Sequence, residues 1–212
     1  MDSFNKDLTE EQRLMKQSCR NFIDRVVAPF LREEWQREWN MDPAERLPDR
    51  ILKAADDISI RTLGVPEKYG GVELNPETEI RSFAIIAEEI ARGDSGLADK
   101  LVQNWKVAVL LRNLAAEHLQ KKWFTRLVEE HGLLFAHCLT EPKGASDRWL
   151  PYNVPEAAMD TIAQKIDGGW KINGRKQFIS NGFDAGLYVV YANTRPGSGM
   201  LEGTSSFLVP RE

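Results

Sequence analysis

The feature that most constrains the fold of this chain is a change in hydrophobic periodicity near residue 132. Before that point, apolar residues recur at three- to four-residue spacing, which is the pattern of amphipathic helices. After it, short apolar or alternating runs lie between turns rich in glycine and proline, which is the pattern of strands. Helices followed only by strands predict an α+β chain of two domains in series, over residues 1–132 and 133–212.

The helical half is predicted to be an all-α bundle, and several residues mark where its helices begin and end. Gln12 follows Thr9 at the spacing of a capping box, so the first helix is predicted to begin there. Pro29 is predicted to kink or end that helix, because proline lacks the N–H that a helix interior needs. A later helix is predicted to open directly after Asn75-Pro76.

The second half is predicted to be an antiparallel, β-barrel-like domain. Asn173-Gly174 is a strong two-residue hairpin signal, so Arg175–Ser180 is predicted to run back as a strand. Asp167-Gly168-Gly169 predicts a second turn just before it. The other strand candidates are residues 133–140, 160–166, 170–172, 187–193 and 205–209.

Composition and charge argue against several classes of protein. The formal net charge of −4 disfavours nucleic acid as the main partner, since phosphate-binding surfaces need an excess of Lys and Arg. Cys19 and Cys138 fit neither a disulfide framework nor a metal site, so no metal is predicted. No apolar run approaches the roughly 20 residues of a membrane span. With no signal-peptide pattern among the first residues, the predicted location is the cytoplasm.

Two segments of the second half carry residues suited to a flat, phosphate-bearing cofactor. A strand that ends at Thr140 can offer main-chain N–H groups and a hydroxyl to the edge of a ring. The small residues Gly144-Ala145-Ser146 allow main-chain amides to approach a phosphate closely. Phe178 can lie against the ring, and Ser180 can donate to it. Either segment alone could be an ordinary loop, but together they favour flavin binding, while His137 is open to a packing role or a site role.

Three segments resemble the markers of the acyl-CoA dehydrogenase family, in the family's order: Leu63–Gly71, Cys138–Asp147 and Trp170–Gly182. The resemblance implies a helical N-terminal domain and the first part of the middle β-domain, with the C-terminal helical domain absent from these residues. It implies an oxidoreductase acting on the CH–CH group of an acyl-CoA, with FAD as cofactor. An electron-transferring flavoprotein would accept the electrons, and the protein would form a homo- or hetero-oligomer.

The resemblance also implies which residues contact the ligands. Ser146 is the candidate for contact with the acyl-CoA as well as with the flavin. The family's catalytic Glu belongs to the C-terminal domain, so no residue of this chain is assigned as the base. This sequence departs from the family pattern at Lys143 and Ala145, where small residues and glycine are usual. The flavin-contacting candidates are His137, Cys138, Leu139, Thr140, Ser146, Phe178, Ile179 and Ser180.

Two other functions stay open at this point. The chain could be a non-catalytic subunit that binds flavin or acyl-CoA, or that assembles with a catalytic partner. It could also be an acyl-CoA oxidase or a flavin monooxygenase, which share the fold. A β-domain of these strands alone leaves an unpaired edge, so the chain is predicted to need further sequence or a partner, either as a fragment or as one subunit of a heteromer.

Overall fold

The computed structural model describes residues 7–36, 49–144 and 150–211. The chain divides into two compact units, Met1–Leu134 and Phe135–Glu212. The helices are α1 (Glu10–Phe22), α2 (Ala28–Glu33), α3 (Asp49–Asp57), α4 (Glu79–Gly93), α5 (Ser95–Leu114), α6 (Glu117–Glu129) and α7 (Met200–Gly203). The strands are β1 (Phe135–Cys138), β2 (Ile162–Ile166), β3 (Gly169–Asn173), β4 (Leu187–Asn193) and β5 (Thr204–Pro210).

The first helix begins where the sequence predicts, and its geometry changes just before Pro29. Thr9 accepts from Gln12 N and the Gln12 side chain accepts from Thr9 N, each at 3.1 Å, which confirms the capping box. Before Pro29, the segment Ile23–Val27 is a π-helical turn that connects α1 to α2. The Ala28 N–H bonds to Ile23 O, five residues back. This wider turn accommodates the ring and the missing donor of proline without ending the helix.

The core of the helical unit is built from α1, α3, α4 and α5. Phe22, Ile23, Ile51, Ile90 and Leu101 are among its fully buried members. Helix α4 begins at Glu79, later than the start that was predicted directly after Asn75-Pro76. The Asn75 side chain instead stabilises a turn before the helix, where its Oδ1 accepts from Glu77 N at 2.9 Å. Among the residues that the structure describes, every helix is too short or too polar to cross a bilayer.

Arg61 connects separate parts of the helical unit from the inside. The side chain is 1% exposed and forms an ion pair with Asp56. Its Nη1 donates to Leu127 O at 2.7 Å and to Leu133 O at 2.9 Å. The first bond satisfies a carbonyl group in the last turn of α6, where helix carbonyls lack a partner within the helix, and the second holds the segment that follows α6.

The strands of the second unit form a five-stranded sheet centred on β4. β5 pairs with β4 antiparallel along its whole length, and β1 pairs with β4 in parallel over Leu187–Val190. β2 continues beside β4 at Asn193, also in parallel, and pairs antiparallel with β3. A helical unit followed by a β-unit confirms the predicted fold class. Its sheet is mixed and open, where the sequence predicted an antiparallel, barrel-like one.

The predicted hairpin at Asn173-Gly174 is wrong. The other predicted turn, at Asp167-Gly168-Gly169, is confirmed: it connects β2 to β3, and Gly168 has a φ of +79°. Residues Arg175–Ser180 form no strand. A Cβ on Gly174 would lie 2.4 Å from Thr161 Oγ1, so glycine is needed for a close approach rather than for a turn.

Candidate functional site

A pocket of about 360 Å³ opens beside β1 and β4 in the second unit. Its lining contains three of the predicted site residues, Cys138, Phe178 and Ile179. Cys138 is the last residue of β1, and the other two belong to the segment that precedes β4. The remaining lining residues are Lys176, Gln177, Gly182, Phe183 and Tyr188.

Phe178 is held at this pocket by unusual backbone geometry. Its φ is +54°, in the left-handed region that residues other than glycine rarely adopt. The side chain is 87% exposed, although Phe is normally buried. Ile179, the next residue, points inward and packs with Ala136 and Ala185. The backbone therefore presents one aromatic ring to solvent at the pocket while the next side chain anchors the segment.

Asn181 fixes the segment at its other end. It is buried and also left-handed, with a φ of +61°. Its Nδ2 donates to Phe135 O at 2.9 Å, at the first residue of β1. The main-chain carbonyl oxygen of Asn181 accepts from Ala185 N at 2.9 Å. Asn tolerates this conformation better than most residues, so it can hold the segment against β1.

The two predicted motifs meet directly through hydrogen bonds to the main chain. Gln177 N donates to Thr140 O at 3.0 Å, and Gln177 Nε2 is 3.3 Å from Glu141 O. Leu139 and Thr140 are both partly buried, as is Ser180. The structure thus brings the Cys138–Thr140 segment next to the Phe178–Ser180 segment, as a shared binding site requires.

A buried ion pair lies beneath this junction. The side chain of Glu141 is fully buried, and its Oε1 is 2.9 Å from Lys176 Nζ. Its carboxylate also accepts from the main-chain N–H of Asp160 at 2.7 Å and of Thr161 at 2.8 Å. Burial disfavours the charged carboxylate, but hydrogen bonds from Thr161, Lys176 and Asp160 outweigh it and hold the pKa of Glu141 below its usual value.

Cys138 behaves as a small apolar residue. It packs with Ala136 and Ala185 on one face of the sheet. Burial raises the pKa of its thiol to about 11, and the positive charge of Lys176 only partly offsets this. A neutral thiol is a poor nucleophile, so Cys138 contributes an apolar surface rather than redox chemistry.

His137 is placed differently from Cys138. Alternation along β1 directs the two side chains to opposite faces of the sheet. The Nε2 of His137 is 2.9 Å from Tyr191 Oη, with the rings edge to face. Burial raises the pKa of Tyr191. His137 is therefore not among the residues lining the pocket, and its side chain has a packing role with Tyr191.

The phosphate-binding turn predicted at Gly144-Ala145-Ser146 is only partly described. Ser146, the candidate for both flavin and acyl-CoA contact, lies outside the described residues, as do Ala145 and Asp147. Gly144 exchanges main-chain hydrogen bonds with Glu141, at 2.9 and 3.2 Å. A tight turn therefore leads from the buried ion pair toward that segment.

Sequence reasoning missed the supporting residues. Lys176 and Asn181 both lie inside a recognised motif, but their partners are 35 and 46 residues away. The signal available in the sequence was a Lys within the predicted strand Arg175–Ser180 and an Asn directly after it, where polar residues usually face solvent. Only the folded chain shows that Lys176 points inward to Glu141.

Two domain models of one family together match most of the chain. Acyl-CoA dehydrogenase, N-terminal domain, matches residues 9–131, and acyl-CoA dehydrogenase, middle domain, matches residues 136–212. The chain belongs to the acyl-CoA dehydrogenase family. The resemblance of the three sequence markers is confirmed by these matches.

Individual relatives agree with this assignment. The chain is 32% identical to cyclohex-1-ene-1-carbonyl-CoA dehydrogenase of Syntrophus aciditrophicus (strain SB), over 99% of this chain and 46% of the relative. Its fold matches butyryl-CoA dehydrogenase from Megasphaera elsdenii with a TM-score of 0.73 and 25% identity, over 97% of this chain and 50% of the other. The FAD complex of PigA matches with a TM-score of 0.78 and 25% identity, over 98% and 49%. The chain thus spans about half the length of the relatives it matches.

The site of this acyl-CoA dehydrogenase family member has a composition that fits a flavin. An isoalloxazine ring needs an apolar surface, an aromatic contact and hydrogen-bond donors at its edge. Cys138 and Ile179 present apolar side chains to the pocket, and Phe178 presents an exposed aromatic ring. Thr140 and Ser180 carry hydroxyl groups on the two segments that meet here.

Proposed function

We propose that this chain forms part of an FAD-dependent acyl-CoA dehydrogenase, in which the second unit holds the flavin. The observation that carries the proposal is the bond from Gln177 N to Thr140 O, which brings the two family motifs together beside one pocket. The exposed, left-handed Phe178 at that pocket is the second support. The proposed reaction is α,β-dehydrogenation of an acyl-CoA thioester.

The residues of the chain have separate proposed roles. Phe178 lies against the flavin ring, while Cys138, Leu139 and Ile179 line its surroundings. Thr140 and Ser180 donate hydrogen bonds to its edge, which would stabilise the negative charge gained on reduction. His137 contributes through its main chain, since its side chain lies on the other face of β1 with Tyr191. Ser146 contacts the flavin and the acyl-CoA.

Bound FAD would supply the acceptor for the hydride that leaves the β-carbon of the acyl-CoA. The α-proton must go to a base within hydrogen-bond reach of the α-carbon. None of the side chains that line the described pocket is a carboxylate. We therefore propose that the base is supplied by sequence equivalent to the other half of the relatives, either continuous with this chain or in a second subunit.

The expected partners follow from the same proposal. An acyl-CoA is the substrate, an electron-transferring flavoprotein accepts the electrons, and the assembly is an oligomer. The cytoplasmic location stays a prediction. The alternative of a non-catalytic assembly subunit predicts that a chain carrying the catalytic base co-purifies with this one. An oxidase or monooxygenase would instead reoxidise rapidly in air after reduction of its flavin.

The proposal is tested by replacing the aromatic contact. Phe178→Ala should weaken FAD binding about 2- to 10-fold, since an aromatic stacking contact contributes roughly 0.5–1.5 kcal/mol. The fold should be unaffected, because the side chain is exposed. Leu201→Ala is a matched control, because Leu201 is also an exposed apolar residue of this unit and lies outside the pocket. Equal FAD affinity in both variants would contradict the proposed site.

A further inference from the structure

Lys176 lies between the two segments of the candidate flavin site. Its Nζ is 2.9 Å from Glu141 Oε1 and 3.1 Å from Leu139 O, and it is 3.4 Å from Met159 Sδ. Its side chain is only 11% exposed. An ammonium group has three donors, so these contacts match its bonding capacity. Lys176 thus connects the end of β1 to its own segment from beneath.

The carboxylate of Glu141 requires such a partner. Its side chain is fully buried, and the N–H groups of Asp160 and Thr161 already donate to it. A buried carboxylate is costly unless it is both paired and hydrogen-bonded. Lys176 supplies the opposite charge within hydrogen-bond distance of this carboxylate.

The pair is adjacent to the residues proposed to contact the flavin. Leu139 O accepts from Lys176 directly, and Phe178 follows Lys176 by two positions. Gln177 adds two bonds between the same segments. The separation between Thr140, two residues after β1, and Phe178 is therefore set by Lys176 together with Gln177.

We propose that Lys176 is a positioning residue, which acts through Glu141 to set the spacing of the two segments proposed to contact the flavin and the charge balance beside the pocket. This inference rests on the proposed function, since it requires FAD in the pocket. This role predicts an effect that an ion pair with only a stabilising role would not produce. Removing each charge alone should shift the reduction potential of the bound flavin in opposite directions.

The direction of each shift follows from electrostatics. Reduction adds negative charge to the flavin, so a nearby positive charge favours it and a negative charge opposes it. Lys176→Met leaves the Glu141 carboxylate uncompensated and should lower the potential. Glu141→Gln leaves the Lys176 ammonium uncompensated and should raise it. The double variant, Lys176→Met with Glu141→Gln, removes both charges and should return the potential toward that of the wild type.

The experiment uses the full 212-residue chain saturated with FAD. The dissociation constant is measured by flavin fluorescence, and the potential against reference dyes. Lys176→Met should weaken FAD binding roughly tenfold, the effect of about 1.4 kcal/mol. Lys171→Met is the control, because Lys171 is an exposed lysine on β3. It should leave both quantities unchanged.

The outcomes separate this inference from the proposed function. If the wild type binds FAD and both single variants keep its affinity and potential, or shift the potential in the same direction, the positioning role is overturned. If the wild type binds no FAD, the proposed function itself fails. Amide exchange then tests the contact without flavin. In Lys176→Met the amides of Thr161 and Gln177 should exchange faster while those of β4 do not, and unchanged exchange would overturn the role of Lys176.

Discussion

The side chain of Asn181 bonds to the main chain of Phe135, with Nδ2 at 2.9 Å from the carbonyl oxygen, although 46 residues separate the two. Asn181 adopts the left-handed conformation at the same time. One residue therefore supplies both the bend after Phe178 and the bond that holds the segment to β1. The aromatic ring at the pocket is supported by this contact on one side and by Lys176 on the other.

Replacing Asn181 should separate these two contributions. Asn181→Gly keeps the left-handed backbone accessible and loses the bond, which should cost about 1–3 kcal/mol of unfolding free energy. Asn181→Ala should lower the unfolding free energy by about 1–2 kcal/mol more, because alanine is strained in the left-handed conformation. Urea unfolding of both variants measures the difference. If Ala proved as stable as Gly, the left-handed backbone would not be a requirement at this position.

Gly174 and Gly169 give a matched pair of substitutions at the two ends of β3. Gly174→Ala should destabilise the β-unit, because the new Cβ would lie 2.6 Å from Thr161 Cα, which is backbone. Gly169→Ala should be neutral or slightly stabilising, since no atom lies within 4 Å of its Cβ position. The midpoints of thermal unfolding compare the two. Equal effects would mean that the approach of Gly174 to Thr161 is not tight.

The contrast between correct and incorrect sequence predictions has a physical basis. The capping box of Thr9 and Gln12 was predictable because both partners lie within one helical turn. Asn173-Gly174 was misread because the hairpin signal depends on a positive φ, and neither residue has one. Glycine is needed at position 174 because Thr161, which is distant in the sequence, packs closely against it.

The candidate site, like the fold, could be predicted from the sequence only in part. The motif residues near Thr140 and Phe178 could be identified by resemblance, and their main-chain contact follows in the structure. The pairing of Lys176 with Glu141 could not be predicted, because a charged residue in a surface-like segment gives no sign of burial. The parallel pairing of β1 with β4 also depends on long-range packing that no local pattern encodes.

Arg61 should be important for the stability of the helical unit. Arg61→Met would leave Asp56 without its buried cation and remove bonds to Leu127 O and Leu133 O, which should cost about 3–5 kcal/mol. Arg126→Met is the comparison, because Arg126 pairs with Glu130 on an exposed helix face. It should cost less than about 0.5 kcal/mol. Denaturant unfolding followed by the helical signal measures both, and similar costs would contradict the role of Arg61.

Glu141 should make the β-unit sensitive to acid. Its pKa in the folded chain is lower than its ordinary value of 4.5, so the unfolded chain binds more protons as the pH falls below that value. The stabilisation is therefore complete above that value and is lost as the pH falls through the folded pKa. Unfolding free energies of the wild type and Glu141→Gln should differ most near neutral pH and converge in acid. A difference independent of pH would show that the carboxylate charge is not involved.

The most direct test of the account is to titrate the purified 212-residue chain with FAD, and to record absorption and fluorescence of the flavin. The account predicts saturable binding near one FAD per chain, with weaker binding for Phe178→Ala and Lys176→Met than for Leu201→Ala and Lys171→Met. Absence of saturable binding by the folded wild-type chain would contradict the central claim that its second unit holds the flavin. Binding that all four substitutions leave unchanged would place the flavin outside this pocket.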